Sequence, residues 1–393
     1  MARALQVAVI EPRAPLAPQA SEPLDSRVVA VSRASERVLQ AAGAWELLAS
    51  ERLQPYERMR IWHERAAPSS ARALVFDAAE INEPNLGYIL ETRMLQAAAL
   101  AAAAARGAHI EPSELQALHI ESDYVNLTLR NGTQMHTRLV VGADGAQSAL
   151  RQLLGVNASN RALGQTALVA NITSERPHEA TAWQRFMHDG TLALLPLRDG
   201  NSSIVWSADD ELAAQLLAMQ GADFAAALTR ASAEALGVLR PVTPLVSFPL
   251  RAVNAESYIA NRAVLIGDAA HVVHPLAGQG INLGLLDAAC LAQLLIEAVA
   301  EREDPGAGRV LRAYERWRRS EVLLMSTSIA AFDRLLAHGR GPLARVAQLG
   351  LGWVNRSQEL KRLFAARALG ISGELPRSAV LRRSESDRSA PRR

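Results

Sequence analysis
The chain of 393 residues is long enough for two or three domains, and 49% hydrophobic against 21% charged residues suits a sizeable core. A net charge of +2 gives no footing for nucleic acid, and a single cysteine, Cys290, rules out an internal disulfide framework or a thiolate metal cluster and fits a reducing compartment. No run reads as long and apolar enough to span a bilayer, and the N-terminus is strand-like rather than a charged-then-apolar leader.

Residues 4–11 read as a buried parallel strand ending in Glu11. In a dinucleotide-binding unit such a Glu closes the second strand and binds the adenosine ribose, so Glu11 is a candidate cofactor residue. A Pro- and Ala-rich loop follows to residue 23, and Asp25-Ser26-Arg27 opens a segment that turns helical towards Trp45. Strands are expected within 62–77, a helix from Thr92 to about Arg106, and a return strand at 107–110. Residues 124–129 alternate, Asn131-Gly132 marks a hairpin, and the return strand holds Leu139, Val140 and Val141. Residues 142–151 then predict strand, small-residue turn and helix, with Ser148 and Arg151 in the first turns, a geometry that suits an anion. Residues 168–174 and 186–207 read as sheet, with a hairpin at 198–201. Phe186, Trp206 and Phe248 either line an aromatic pocket or belong to the core, and for any one of them core is the default. Residues 209–239 are mostly helical, and 248–250 end the sheet.

The most informative stretch comes next. Arg262 to Ile266 is a short buried strand, followed by Gly267-Asp268, a glycine-rich turn, and a long helical run from Leu283. A helix start carries free N–H groups and partial positive charge, so an electron-rich ligand bearing negative charge belongs there. The glycines permit close approach, and Asp268 is placed to accept a hydroxyl hydrogen bond. A flavin fits, with Asp268 on ribityl or ribose hydroxyls and the helix start facing the N1/O2 edge. His271 and His274 have the spacing of a metal pair, but Pro275 follows, the region is a turn and no third ligand is evident, so no metal is expected. Cys290 reads as core. Residues 310–336 are helical with a solvated charged face. Residues 343–369 combine Trp353 and Phe364 with Arg345, Arg356, Lys361, Arg362 and Arg367; they read either as a basic amphipathic element on a membrane or partner, or as a packed C-terminal helix. The tail from Arg377 is expected to be disordered.

Gly267-Asp268-Ala269-Ala270-His271, with the run from His274-Pro275-Leu276-Ala277-Gly278-Gln279-Gly280-Ile281-Asn282 to Asp287, resembles the Gly-Asp motif and signature of FAD-dependent aromatic hydroxylases of the ubiquinone-biosynthesis monooxygenase family. The resemblance implies an α/β flavin hydroxylase fold: a Rossmann-like FAD domain (1–45, 85–155, 259–335) interleaved with a β-sheet substrate domain (46–84, 156–258), then a helical C-terminal region and tail (336–393). It places Arg27 (in an Asp-x-Arg) and, loosely, Arg93 near the flavin or its phosphates. It likens Gly142-Ala143-Asp144-Gly145 to a second fingerprint near the FAD pyrophosphate, and sets Arg251 at the interface with the flavin domain. It implies that Gly280, Ile281 and Asn282 present backbone and amide groups to the isoalloxazine edge, that Pro275 walls its reactive face, and that Gly267 and Gly278 belong to the same cofactor-binding set.

Family members carry a strand, a G-x-G-x-x-G turn and a helix ahead of the Glu-terminated strand, whereas this sequence begins at that strand. A start assigned too late, a truncation and a divergent protein are the three accounts; the intact later motifs favour the first. Neighbouring strand edges are then expected to lack partners. By similarity, NAD(P)H reduces the FAD, O2 adds at flavin C4a, and the hydroperoxide hydroxylates a phenol, here a polyprenyl phenol of ubiquinone biosynthesis. No side chain is required as a nucleophile. The implied setting is cytoplasmic or peripheral at the membrane's inner face, with other ubiquinone-biosynthesis proteins as partners. The alternatives are an FAD-deficient scaffold remnant of such a complex and a hydroxylase of another aromatic substrate.

Overall fold
The computed structural model describes residues 5–273, 279–336 and 373–380. In chain order come β1 (Ala8–Ile10), β2 (Val28–Ser32), α1 (Arg33–Ala42), β3 (Gln54–Tyr56), β4 (Arg58–His63), β5 (Leu74–Asp77), β6 (Gly87–Glu91), α2 (Thr92–Ala105) and β7 (His109–Glu111). Then follow β8 (Leu115–Ile120), β9 (Val125–Leu129), β10 (Gln134–Thr137), β11 (Val140–Gly142), α3 (Ala149–Leu153), β12 (Ala158–Ser174), β13 (Thr181–Met187), β14 (Gly190–Pro196) and β15 (Ser202–Asp209). The last are α4 (Asp210–Ala218), α5 (Gly221–Ala231), β16 (Leu239–Pro241), β17 (Val246–Ala255), β18 (Ile259–Ala260), β19 (Ala263–Leu265), β20 (His271–Val272), α6 (Gln279–Ala300) and α7 (Gly308–Leu336).

One large, mostly antiparallel sheet runs β20-β17-β12-β15-β14-β13-β4-β5, with β16 beside β12. Alternation along its strands buries Leu168, Leu192, Leu194, Ile204 and Trp206 against Leu216, Phe224 and Leu228 of α4 and α5. The parallel pairs expected of a nucleotide-binding unit occur as β1 with β7 and β11 with β19. Among the described residues β1 and β11 each have a parallel neighbour on one side. Local rules explain the helix ends. Ser32 caps α1 by accepting from the Ser35 N–H, and Gly43, at φ +63°, ends it in the left-handed region.

Several boundaries differ from the sequence reading. β1 holds three residues rather than eight, and β17 runs on to Ala255 instead of ending at 250. The Asn131-Gly132 hairpin returns as β10; Val140 and Val141 belong to a separate strand that leaves the hairpin to pair with β19. A further correction concerns the apolar run at 280–300. With a mean hydropathy of 1.8, Gly280–Ala300 is long and apolar enough to cross a membrane by length and composition. Here it is a core helix, burying Leu283, Leu286, Leu291 and Leu295 and carrying the fully buried Asp287 in ion pairs. A protein interior and a bilayer reward the same composition.

His178, buried in the turn between β12 and β13, accepts the Ala180 N–H at Nδ1 and lies 3.1 Å from the Leu197 carbonyl at Nε2, to which it donates. Burial lowers its pKa below the ordinary value. The unfolded chain therefore takes up the proton first, near pH ~6.5. The stabilising contribution of neutral His178 is complete above that pH and is lost as the pH falls through the lower folded value. In thermal melts, His178→Gln should flatten the stability loss between pH ~7 and ~5; an unchanged slope would place the acid sensitivity elsewhere.

Candidate functional site
The Gly-Asp turn joins two sheets. β19 leads into it from the parallel pair with β11, and β20 leaves it to pair with β17 of the large sheet. Gly267 sits at φ +57°, a conformation that glycine adopts without strain. A Cβ on Gly284 of α6 would lie 3.3 Å from the Gly267 Cα, so two glycines let the helix close on the turn. The turn is braced from two more directions. Gly267 donates its N–H to Asp287 Oδ2 at 2.8 Å, and Arg151 Nη1 donates to the Ala269 carbonyl at 2.6 Å.

Asp268 projects from this turn with no hydrogen-bond partner among the described residues. Its side chain reaches solvent, yet the surrounding protein desolvates it enough to raise its pKa, and the nearby His271 opposes this only in part. An unpartnered carboxylate in such a place suits a ligand that donates hydroxyls. Beside it, α6 begins at Gln279, and a Cβ on Gly280 would meet nothing within 4 Å among the described residues. Ile281 packs with the cluster of Val31, Leu39 and Leu90.

Asn282 requires a correction. Its amide does not face outward. Oδ1 accepts the Ser32 N–H and Nδ2 donates to the Ala30 carbonyl, both at 2.8 Å, so the buried side chain docks α6 on β2. The amide oxygen and one of its N–H groups meet the edge of β2 at the spacing of successive backbone groups. Pro275, Gly278 and His274 lie outside the described residues.

The second fingerprint also behaves differently from the anion site expected. Asp144 accepts the Leu150 N–H at 3.0 Å and Ser148 accepts the Arg151 N–H at 3.0 Å. Two first-turn donors of the short α3, the N–H groups of Leu150 and Arg151, are thus capped by its own chain rather than turned to a ligand. Arg151, buried, spends its guanidinium on the carbonyls of Ala146 and Ala269 and so ties this loop to the Gly-Asp turn. Glu11, half-buried at the end of β1, accepts the Arg13 N–H. Arg93 pairs with Glu22 at 2.6 Å instead of standing free for a phosphate. Arg251 is exposed and donates to Asn160 on the neighbouring strand.

Arg27 is exposed, with its guanidinium 4.9 Å from the centre of the Phe248 ring. Phe248 belongs to a row on one face of the large sheet. His63, Phe186, Thr191, Ser207, Ala167 and Phe248 are successive register neighbours across six strands. Trp206, in register with Leu192 and Leu168, lies on the opposite face and packs on Phe224. Of the three aromatic residues singled out from the sequence, two therefore share the Arg27 face and the third is core.

Sequence reasoning missed the support behind the turn. Asp287, fully buried, accepts from Gly267 N, His271 Nε2 at 2.6 Å and Arg318 Nε at 2.6 Å. Burial works to raise its carboxyl pKa, but the hydrogen bond and charge of His271, followed by those of Arg318, hold it below the ordinary range. Tyr314, one turn before Arg318, donates to the Leu265 carbonyl. His271 is thus committed to Asp287. Burial pushes the adjacent Cys290 thiol up to about 12, so it stays protonated at neutral pH. The available signal was a carboxylate, Asp287, set between the leucines and alanines of α6, which when buried requires a cationic partner.

Residues 10–325 match the FAD binding domain family. The chain is 38% identical to ubiquinone hydroxylase UbiL of Rhodospirillum rubrum over 88% of this chain and 80% of that protein. It is 34% identical to 3-demethoxyubiquinol 3-hydroxylase of Escherichia coli, covering 93% and 92%. In structure it resembles p-nitrophenol 4-monooxygenase PnpA from Pseudomonas putida, with a TM-score of 0.71 at 17% identity, over 93% of this chain and 92% of that one.

Proposed function
The chain belongs to the FAD binding domain family, among its ubiquinone-biosynthesis hydroxylases, and we propose that the Gly267-Asp268 turn and the start of α6 seat the flavin. It is an FAD-dependent monooxygenase that hydroxylates an aromatic ring in ubiquinone biosynthesis, with NAD(P)H as co-substrate. The observation that carries the seat is Asp268, a carboxylate without a hydrogen-bond partner among the described residues, on a braced turn beside the first turn of α6.

These residues fit FAD, which when bound supplies electron transfer from NAD(P)H and activation of O2. Asp268 accepts hydrogen bonds from ribityl or ribose hydroxyls. The first turn of α6, Gly280 and Ile281 included, offers N–H groups and partial positive charge to an electron-rich edge. Glu11 serves the adenosine ribose, and Arg27 the flavin or its phosphates. Asp144, Gly267 and Asn282 act indirectly, by capping α3, shaping the turn and docking α6. Pro275, as the wall of the flavin's reactive face, and Gly278, as a further cofactor-binding residue, stay in this reading although both lie outside the described residues. The division into FAD-binding parts (1–45, 85–155, 259–335) and substrate parts (46–84, 156–258) is kept with it.

The substrate ring lies against the row from Phe186 to Phe248, and we take it to be a polyprenyl phenol. A phenol activates its own ortho or para carbon, so the chain's task is to place the ring and exclude water. A polyprenyl chain partitions into lipid. The enzyme is therefore placed in the cytoplasm, peripheral at the membrane's inner face, with other ubiquinone-biosynthesis proteins as partners. The docking element proposed for it, residues 343–369, lies outside the described residues. The direct test loads the protein with FAD and follows NAD(P)H oxidation with prenylated and unprenylated phenols, identifying products by mass. Hydroxylated prenylated product is expected; oxidation that yields only peroxide with every phenol would overturn the substrate assignment.

A further inference from the structure
Arg52 and Glu91 belong to no motif and touch neither the Gly-Asp turn nor the aromatic row, yet they form the most completely used ion pair among the described residues. Arg52 closes a short 3-10 turn and Glu91 ends β6; their side chains are 5% and 1% exposed. All five guanidinium N–H groups are committed. Nε donates to Glu91 Oε2 at 2.6 Å, and Nη2 donates to Glu91 Oε1 at 2.8 Å and to the Pro23 carbonyl at 3.2 Å. Nη1 donates to the carbonyls of Gln19 at 3.1 Å and Glu22 at 2.9 Å. Glu91 Oε1 also accepts the Asp25 N–H at 2.8 Å.

Every bond beyond the ion pair itself thus goes to the backbone of residues 19–25, the second half of the Pro-rich loop. That loop has no strand or helix of its own, so its backbone groups need partners from elsewhere. The large sheet holds the same segment from the other side. Asn171 Nδ2 donates to the Leu24 carbonyl at 2.9 Å and Ser203 Oγ to the Ser26 carbonyl. The segment delivers Arg27, whose N–H bonds Asp25 Oδ1, whose carbonyl accepts from Thr92, and whose guanidinium lies over Phe248.

We propose that the Arg52–Glu91 pair is a positioning device that sets Arg27 at the junction of the cofactor seat and the aromatic row. This rests on the reading of Arg27 as a cofactor residue. A buried ion pair gains little stability over an apolar replacement, so its presence is better explained by what it holds. Lysine could not substitute, because three donors on one nitrogen cannot match a planar fork that grips a carboxylate and three carbonyls.

The test compares Arg52→Gln, Arg52→Lys, Arg27→Gln and the double variant Arg52→Gln/Arg27→Gln. Arg185→Gln is the control; it removes a half-buried arginine that donates to the end of α5 and to the Glu64 carbonyl. FAD affinity is read by flavin fluorescence well below each melting temperature, and loop release by the rate of tryptic cleavage after Arg27. Arg52→Gln should weaken FAD about tenfold or more and speed cleavage after Arg27. Arg52→Lys should rescue neither, and Arg185→Gln should lower the melting temperature without moving FAD affinity. Adding Arg52→Gln to Arg27→Gln should cost less than about twofold further, since both act through one group. Additive losses, wild-type affinity in Arg52→Gln or rescue by lysine would each overturn the proposal. So would unchanged affinity in Arg27→Gln, which removes Arg27 from the site while leaving the flavin assignment at Asp268 standing.

Discussion

Asp287→Asn is expected to destabilise the protein by about 3–5 kcal/mol, the usual cost of breaking a buried ion pair from one side. The substitution leaves the Arg318 guanidinium, 2% exposed, without its counter-charge, and withdraws charge from His271. It also weakens the bond to the Gly267 N–H, so FAD affinity should fall along with the melting temperature. Arg318→Met in the Asp287→Asn background should restore part of the stability, because the orphaned charge is removed with it. Melting of the four-member cycle, with and without FAD, measures both effects. A single Asp287→Asn variant that melts like the parent would show that the cluster is not a support of the turn.

Asp268→Ala should weaken FAD by roughly 1–3 kcal/mol, or about 5- to 150-fold, as a ligand hydroxyl loses its acceptor. The pH dependence supplies a second signature. Desolvation raises the pKa of Asp268 in the ligand-free protein, while a hydroxyl donor favours the ionised form. FAD affinity should therefore be full above that raised pKa and fall as the pH drops through it. Asp268→Asn, which cannot ionise, should lack this fall. The linkage to stability has the opposite sign: a carboxyl whose folded pKa is raised costs stability once it ionises, so Asp268→Asn should melt higher than the parent at neutral pH without ligand. A residue that harms stability but serves binding is what a functional site requires. If Asp268→Asn lowered the melting temperature of the ligand-free protein, Asp268 would be a structural turn residue.

The row from His63 to Phe248 sharpens what the aromatic residues do. Alternation along each strand sends Phe186 and Phe248 to one face and Trp206 to the other, and only the register across β12 to β17 shows which residues share a face. The row contains hydroxyls and small side chains between two aromatic rings, which agrees with a site that places a ring rather than attacks it.

Much of the molecule was legible in the sequence because the governing interactions are local. The strand before Gly267, the helix after it and the Asn131-Gly132 hairpin follow from hydrophobic period and turn chemistry within a few residues. The motif from Gly267 to Asp287 was enough for the family and the cofactor. What the tertiary structure alone decided is where long polar side chains go. Asn282 spends its amide on a strand 250 residues away, Asp144 and Ser148 turn inward to cap α3, and Asp287 meets Arg318 from another helix. The same holds for Arg52, whose five donors meet groups 29 to 39 residues away on either side of it. A buried donor or acceptor must find a partner, but its reach spans several ångströms in any direction, so sequence spacing states that obligation without naming the partner.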